Sequence, residues 1–320
     1  MNRAPRFLFA ATLTCLLLPF THTQAATDDA KTKSQPAGVM SKEAVFKHCS
    51  PQAVDITIIG HDNQGQWASY GAGSVLHENG YILTAEHVTA TGDKHIVTLH
   101  DGTHYEYEVI SRAGGSYDTA IIKIKPQKPL TPVKLGRSDT VKKGDQAMTI
   151  GNAAGHPHTV NYGIIERPTC GGGTQIHIGS ADIKGGDSGG PVFNMKGEQI
   201  AHVHVKIFTM HNASRHIRVD HVRHAFANVF GKEDRNAFTI GIAVDCLGNE
   251  AKVTEVAEGS PAEKAGVKVG DVITQFDDMR IGSGPHYVLA LMDRVTKNPV
   301  KLTLKRNGSS KTISVTPKKN

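Results

Sequence analysis

Cysteine is scarce in this chain. Of four cysteines in 320 residues, one (Cys15) lies in an apolar N-terminal stretch, leaving Cys49, Cys170 and Cys246. Three is an odd number, which excludes a scaffold built on disulfides and leaves room for a single bridge, with Cys49 to Cys170 as one choice. No C-x-x-C pair occurs, so a cysteine-based zinc site is not expected. Beyond residue 25 there is no apolar run long enough to span a bilayer. Charge of one sign is lacking as well. The formal net charge of +6 falls to +4 once Arg3 and Arg6 are set aside, and apart from the "KTK" and "PKKN" ends the excess is spread along the chain. Mild basicity of this kind serves solubility and gives no nucleic-acid signature. Internal repeats are not evident.

The N-terminus does carry a signal. Arg3 and Arg6 precede the apolar "FLFAATLTCLLLPF", and "THTQA" ends it on small and polar residues. That is the pattern of a secretory signal peptide over residues 1–25, cleaved after Ala25. Thr12, Thr14 and Pro19 interrupt the run and make it too short for an anchor. The expected product is exported to the periplasm of a bacterium or secreted, with no membrane span. Residues 26–43 are polar without apolar periodicity and read as a flexible leader.

From Ala44 to about Thr209, short apolar runs such as "AVDITIIG", "GYILTA", "TAIIKIK" and "QAMTIGN" alternate with glycine-rich and polar turns, which argues for an all-β sandwich or pair of barrels. The period then changes. Val222, Ala225, Phe226, Val229 and Phe230 fall at helical spacing, with Asp220 as the expected cap and Gly231 as the stop. One domain over 44–231 ends there. A second, over 236–318, reads strand, strand–helix–strand, helix, strand–turn–strand, an α+β module.

The stretch "GGDSGGPVF" (185–193) places Ser188 among small residues. A nucleophilic serine needs a histidine base, a carboxylate to orient it and backbone N–H groups facing the developing oxyanion. His87 ends the strand-like "GAGSVLHENGYILTAEHV", and Asp118 precedes the buried-looking strand of "GGSYDTAIIKI". The order His87, Asp118, Ser188, with spacings of 31 and 70 residues, is that of two-barrel serine proteases, in which the first barrel supplies His and Asp and the second Ser. The oxyanion hole falls to the backbone of Gly186, Asp187 and Ser188, where glycine permits turns that side chains obstruct.

With those residues in place, the chain resembles the HtrA/DegP family of exported proteases, a chymotrypsin-like domain followed by one PDZ domain. The blocks "GAGSVLHENGYILTAEHV", "YDTAIIKI", "LGRSDTVKKGDQAMTIGNAAG", "GGDSGGPVFNMKGEQI" and, in the second module, "GSPAEKAGVKVGDVITQFDD" carry the resemblance. It implies a mainly β two-barrel protease plus an α+β PDZ domain, with no cofactor and no metal. It also implies proteolysis of misfolded, damaged or exported proteins, and often a homotrimer, for which Phe46 is the one obvious aromatic near the protease N-terminus. In the PDZ domain Ile240, Gly241 and Ile242 match the loop that binds the carboxylate of a C-terminal peptide, the peptide adding as a strand at the sheet edge.

Departures from the family pattern matter. Asp187 stands where asparagine is usual; it is expected either to pair with Lys184 or a histidine or to keep the loop disordered until something binds. Asp182, with Ile183, falls at the base of the specificity pocket, where an acid selects Lys or Arg unless Lys184 neutralises it. The loop that caps the active site in DegP-type oligomers is missing. Eighteen histidines are present, six of them within "AHVHVKIFTMHNASRHIRVDHVRH". His202 and His204 would share a strand face, and His221 and His224 a helix side. No carboxylate or cysteine accompanies them at ligand spacing, so the expectation is no metal site there, with a pH-sensitive cluster as the alternative. Two other functions compete with general proteolysis: a degenerate protease acting as a PDZ-bearing peptide-binding or chaperone protein, and a narrow regulatory protease.

Overall fold

A computed structural model describes residues 38–89, 91–206, 213–230, 238–292 and 298–319. The expected signal peptide and most of the leader lie outside the described residues. The folded part starts earlier than the expected boundary at residue 44. Met40 donates its N–H to the Met195 carbonyl at 2.8 Å. A helix over Lys42–Cys49 follows, capped by Ser41, whose Oγ accepts the Ala44 N–H at 3.1 Å. The leader read over 26–43 is therefore too long at its C-terminal end. Val45 and Cys49 are the helix's two buried positions, too few to leave a legible period in the sequence.

Two curled sheets succeed one another. In the first, the strands Ala53–Asp62 and Gly65–His77 form a long antiparallel hairpin. Lys94–Thr98 adds to one side of it, and Tyr81–Thr84 then Thr119–Lys123 to the other. The outermost strands, His104–Glu106 and Glu108–Ala113, are consecutive in the chain. The sheet therefore wraps round on itself, and Val54, Ile56, Ile58, Val75, Ile82 and Ile122 fill its interior. Alternation along each strand sends these side chains inward.

In the second sheet Gln146–Gly151, Thr159–Cys170, Gln175–Gly179, Ala213–Arg218, Glu198–Lys206 and Pro191–Asn194 pair in that order. Pro191–Asn194 then pairs back with Gln146–Gly151 and closes the ring. Its core holds Ile165, Ile176, Ile178, Ile183, Val192 and Val203. The expected helix follows as Val219–Ala225 continued by a π-helical turn over Phe226–Phe230. Asp220 is not its cap. The N-cap is Arg218, without a side-chain bond, and Asp220 sits in the first turn accepting the Asp139 N–H at 2.8 Å. Gly231 lies outside the described residues.

The C-terminal module follows the expected order. Strands Ile242–Val244, Ala251–Val256, Val272–Phe276, Val300–Arg306 and Ser309–Val315 form one antiparallel sheet in that order. Ser260 caps the short helix Pro261–Lys264, its Oγ accepting the Glu263 N–H at 3.1 Å, with proline at the favoured first position. A second helix, Gly284–Met292, buries Tyr287, Val288 and Leu289. The two domains share an apolar core in which Phe226 and Phe230 join Tyr287 and Leu289. The buried Arg223 guanidinium ties them further, donating to the carbonyls of Cys246 (3.1 Å), Gly248 (2.9 Å) and Leu135 (2.9 Å). Cys49, Cys170 and Cys246 are all unbridged, so the Cys49–Cys170 pairing is not formed. Burial pushes the Cys49 and Cys246 thiols up to about 12, which makes both poor nucleophiles.

Candidate active site

His87 lies in a single 3₁₀ turn, Glu86–Val88, immediately after the buried strand Tyr81–Thr84. Asp118 precedes the strand Thr119–Lys123, paired beside it, and adopts a left-handed backbone with φ +38°. That conformation is uncommon outside glycine, asparagine and aspartate, and here it belongs to a carboxylate buried to 6 % exposure. The pairing brings together residues 31 apart. His87 Nδ1 lies 2.8 Å from Asp118 Oδ2 and 3.0 Å from Oδ1, and the His87 backbone N–H donates to Oδ1 at 3.1 Å. Asp118 can only accept, so the His87 proton sits on Nδ1 and Nε2 is left with a lone pair.

A third side chain shares this carboxylate. His204, on the strand Glu198–Lys206, points Nδ1 at Asp118 Oδ2 from 2.6 Å. Burial works against the charged form of Asp118, but the hydrogen bonds from His204 and His87 outweigh it and hold the carboxyl well below the usual range. The hydrogen bond to Asp118 in turn raises the His87 pKa above its ordinary value, against the opposing effect of burial. His202, two residues earlier, lies wholly inside with Nε2 3.2 Å from Thr119 Oγ1, and burial pushes it down to about 4. His221 stacks on Tyr117 with ring centroids 4.2 Å apart, beside Asp118 in sequence.

Ser188 is delivered by the second barrel and held against the first. Its carbonyl accepts the Ala72 N–H at 2.8 Å. A Cβ on Gly189 (φ +81°) would collide with Thr84 Oγ1 and the Ala72 carbonyl, at the strand end that carries His87; only glycine allows this approach. Gly189 N–H donates to the Val203 carbonyl, next to His204, at 2.8 Å. Ser188 therefore sits between the elements bearing His87 and His204, and among the described residues its Oγ has no hydrogen-bond partner.

The turn before Ser188 is anchored by Asp187, which is fully buried. Its carboxylate accepts the Lys184 backbone N–H at 2.9 Å and the Thr159 hydroxyl at 3.0 Å. The partner is thus the Lys184 main chain, and neither a histidine nor the lysine ammonium. Burial pushes the Asp187 carboxyl upward. Asp187 N–H donates to the Lys184 carbonyl at 3.1 Å and so is not free to face an oxyanion. The N–H groups of Gly186 and Ser188 are not engaged by any described residue. Gly186 has φ +99°, and a Cβ there would collide with the Asn152 carbonyl, so the turn requires glycine.

The expected pocket residues separate. Ile183 is 2 % exposed and belongs to the second-barrel core, where it offers no surface to a ligand. Asp182 is half-exposed, with its carboxylate 3.4 Å from the Lys184 ammonium. In the C-terminal domain Ile240 is buried and Gly241 has φ +78°. Gly241 N–H donates to Thr239 Oγ1 at 3.1 Å. Ile242–Val244 is the terminal strand of its sheet, the position at which a peptide strand can be added.

The stretch from His202 to His224 stands out in the sequence as a histidine cluster, but the carboxylate that His204 meets, Asp118, is 86 residues away and no local pattern marks the pairing.

Comparison with known proteins agrees with this architecture. A trypsin-like peptidase domain profile matches residues 71–201, and a PDZ domain profile matches residues 239–316. A protein of Pseudomonas putida described as a probable periplasmic serine endoprotease DegP-like is 31% identical over 278 residues, covering 79% of this chain and 57% of the relative. The chain thus spans little more than half the length of the curated relatives it matches. Among solved structures, the serine endoprotease from Yersinia pestis is similar with a TM-score of 0.52 and 24% identity, over 88% of this chain and 98% of that one. The HtrA-type protease AlgW, solved with a decapeptide, is similar with a TM-score of 0.52 and 22% identity, over 88% and 99% of the two chains. The chain thus carries a trypsin-like peptidase domain followed by a PDZ domain, and it is similar to DegP-like and HtrA-type proteases.

Proposed function

We propose that this protein is a serine endopeptidase that cleaves unfolded or PDZ-recruited proteins through an acyl-enzyme. The observation that carries the reading is the double hold of Asp118 on His87, at ring Nδ1 and at the backbone N–H. It leaves Nε2 as a base next to a serine loop clamped to the same barrel. Ser188 Oγ attacks the scissile carbonyl carbon while Nε2 takes its proton and the carbonyl electron pair moves onto oxygen. That oxyanion faces the N–H groups of Gly186 and Ser188. Collapse breaks the C–N bond, and the imidazolium gives its proton to the leaving amine. Water then repeats the sequence on the acyl-enzyme and restores Ser188. Asp118 stays ionised throughout and stabilises the imidazolium.

The ion pair between Asp182 and Lys184 argues against a trypsin-like choice of basic residues and for small or aliphatic ones before the cut. The edge strand Ile242–Val244 and the loop at Ile240 and Gly241 take the C-terminus of a partner peptide, whose carboxylate competes with Thr239 Oγ1 for the Gly241 N–H. On this reading the mature protein works in the periplasm, supported by relatives named periplasmic and by the N-terminal signal pattern. A homotrimer belongs to the same reading, and light scattering on the purified protein tests it.

The deciding experiment is labelling with a fluorophosphonate probe, with and without a peptide ending in an apolar residue, beside Ser188→Ala. Wild type is expected to label and the variant not. A folded wild type that stays unlabelled in both conditions overturns the proposal in favour of a non-catalytic, peptide-binding role.

A further inference from the structure

We propose that His87, Asp118 and His204 form a binding site for a divalent cation of the zinc class, and that its occupancy reversibly shuts off Ser188. One donor atom from each of the three lies within 4.8 Å of the others. Two imidazole nitrogens and one carboxylate oxygen are a donor set that suits zinc, and three protein ligands leave a fourth position for water. His87 and Asp118 alone supply two ligands, too few for a stable site. His204 supplies the third.

The geometry needs little change to admit the ion. Both Nδ1 atoms converge on the same oxygen, Asp118 Oδ2, at 2.8 and 2.6 Å. Tetrahedral zinc with bonds of ~2.0–2.1 Å sets its donors roughly 3.3 Å apart, so the His87 nitrogen must draw back by about 0.5 Å and that of His204 by about 0.7 Å. The His87 side chain is 46 % exposed and that of His204 27 %, which gives both room to move and leaves a path from solvent. Asp118 stays in place meanwhile, because its other oxygen accepts the His87 backbone N–H at 3.1 Å, a bond the ion does not replace. Such outer contacts orient a ligating carboxylate.

Inhibition follows from the tautomer. A neutral imidazole carries one proton. When Nδ1 of His87 gives its lone pair to the metal, that proton resides on Nε2, and Nε2 loses the lone pair that would accept the Ser188 proton. The ion also takes the place of the hydrogen bond that orients the ring. Each ring exchanges its Nδ1 proton for one on Nε2 through solvent, and the hydrogen bonds to Asp118 give way to metal–ligand bonds; no heavy-atom covalent bond changes, so removing the ion restores the base. The binding half of the proposal is independent of catalysis; the shut-off half rests on the reading of His87 as general base.

Zinc chloride titrated calorimetrically into chelator-stripped Ser188→Ala protein tests the binding, since that variant cannot digest itself. One-to-one binding is expected, weakened by about ten-fold or more in Ser188→Ala/His204→Ser. His204→Gln in the same background keeps a donor toward Asp118 but is a poor zinc ligand, and should weaken binding equally while preserving the melting temperature. Absence of binding at millimolar zinc, or binding untouched by both substitutions, overturns the site. In wild type, probe labelling of Ser188 should fall with zinc and return with EDTA. Labelling insensitive to zinc overturns the shut-off. If the metal-free wild type never labels while His204-dependent binding persists, the site stands and the shut-off falls together with the protease reading.

Discussion

At the candidate active site His87 and His204 turn their Nδ1 atoms toward one carboxylate, whereas at the seam between the domains His77 and His286 meet edge to face, 4.9 Å apart, with backbone groups as partners. The seam pair is reciprocal. His77 Nε2–H donates to the Arg280 carbonyl of the PDZ domain at 2.8 Å, and His286 Nε2–H to the Leu76 carbonyl of the protease domain at 2.9 Å. Each Nδ1 accepts a backbone N–H from its own domain, Asn79 for His77 and Gly282 for His286, both at 3.2 Å. A ring that donates at one nitrogen and accepts at the other is satisfied only when neutral. Burial pushes His286 down to about 4 and lowers His77 as well, while Asp118 raises His87. The same side chain is thus shifted toward its charged form in one place and held as a neutral clamp in the other, according to whether a carboxylate or an amide group faces Nδ1.

The largest effect should come from removing the carboxylate. Asp118→Asn is expected to lower kcat by about 10⁴-fold with the fold retained, measured by peptide hydrolysis beside circular dichroism. An activity loss below ten-fold would mean that His204 or another group orients His87 unaided.

The seam should respond to acid in the opposite sense from His87, whose pKa a carboxylate raises. A histidine held neutral in the fold but with an ordinary pKa of 6.5 when unfolded leaves the unfolded chain binding more protons below that pH. Stability is therefore complete above about pH 6.5 and is lost as pH falls toward about 4, by on the order of 3 kcal/mol for His286 alone. Glu78 and Lys123 near His77, and Arg223 near His286, act on the two rings with opposing signs and do not reverse the effect of burial. Urea unfolding at several pH values checks this, and His286→Gln should flatten the curve. An unchanged slope in that variant would remove His286 from the account.

A smaller effect is expected from His204→Ser in metal-free buffer. Loss of one hydrogen bond to a carboxylate that keeps its other donors should reduce kcat by about five-fold with KM unchanged. A loss as large as that of Asp118→Asn would show that the two imidazoles do not share the carboxylate as partners of unequal importance.

Much of the architecture was legible because it rests on local chemistry. Period-two strands, glycine turns around Ser188 and a proline-and-serine helix start at Ser260 all write their requirements into neighbouring residues. Asp187 illustrates the limit. The sequence marks it as unusual, but its partners, Thr159 and the Lys184 backbone, are fixed by how the second barrel closes. Ile183 is expected in a pocket and lies in the barrel core, since a tetrapeptide such as "ADIK" does not state which way its residues face.

The chain's own order of residues determined that there are two domains, that one carries His87, Asp118 and Ser188 in protease order, and that the other is a PDZ domain, because each depends on contacts between near neighbours. Tertiary structure alone decided that His204 would reach Asp118 across 86 residues and that His77 and His286 would meet across 209 (from 77 to 286). Such distant pairings arise from strand register and domain packing, where many weak contacts choose the geometry together. No single stretch of sequence contains the information that sets them.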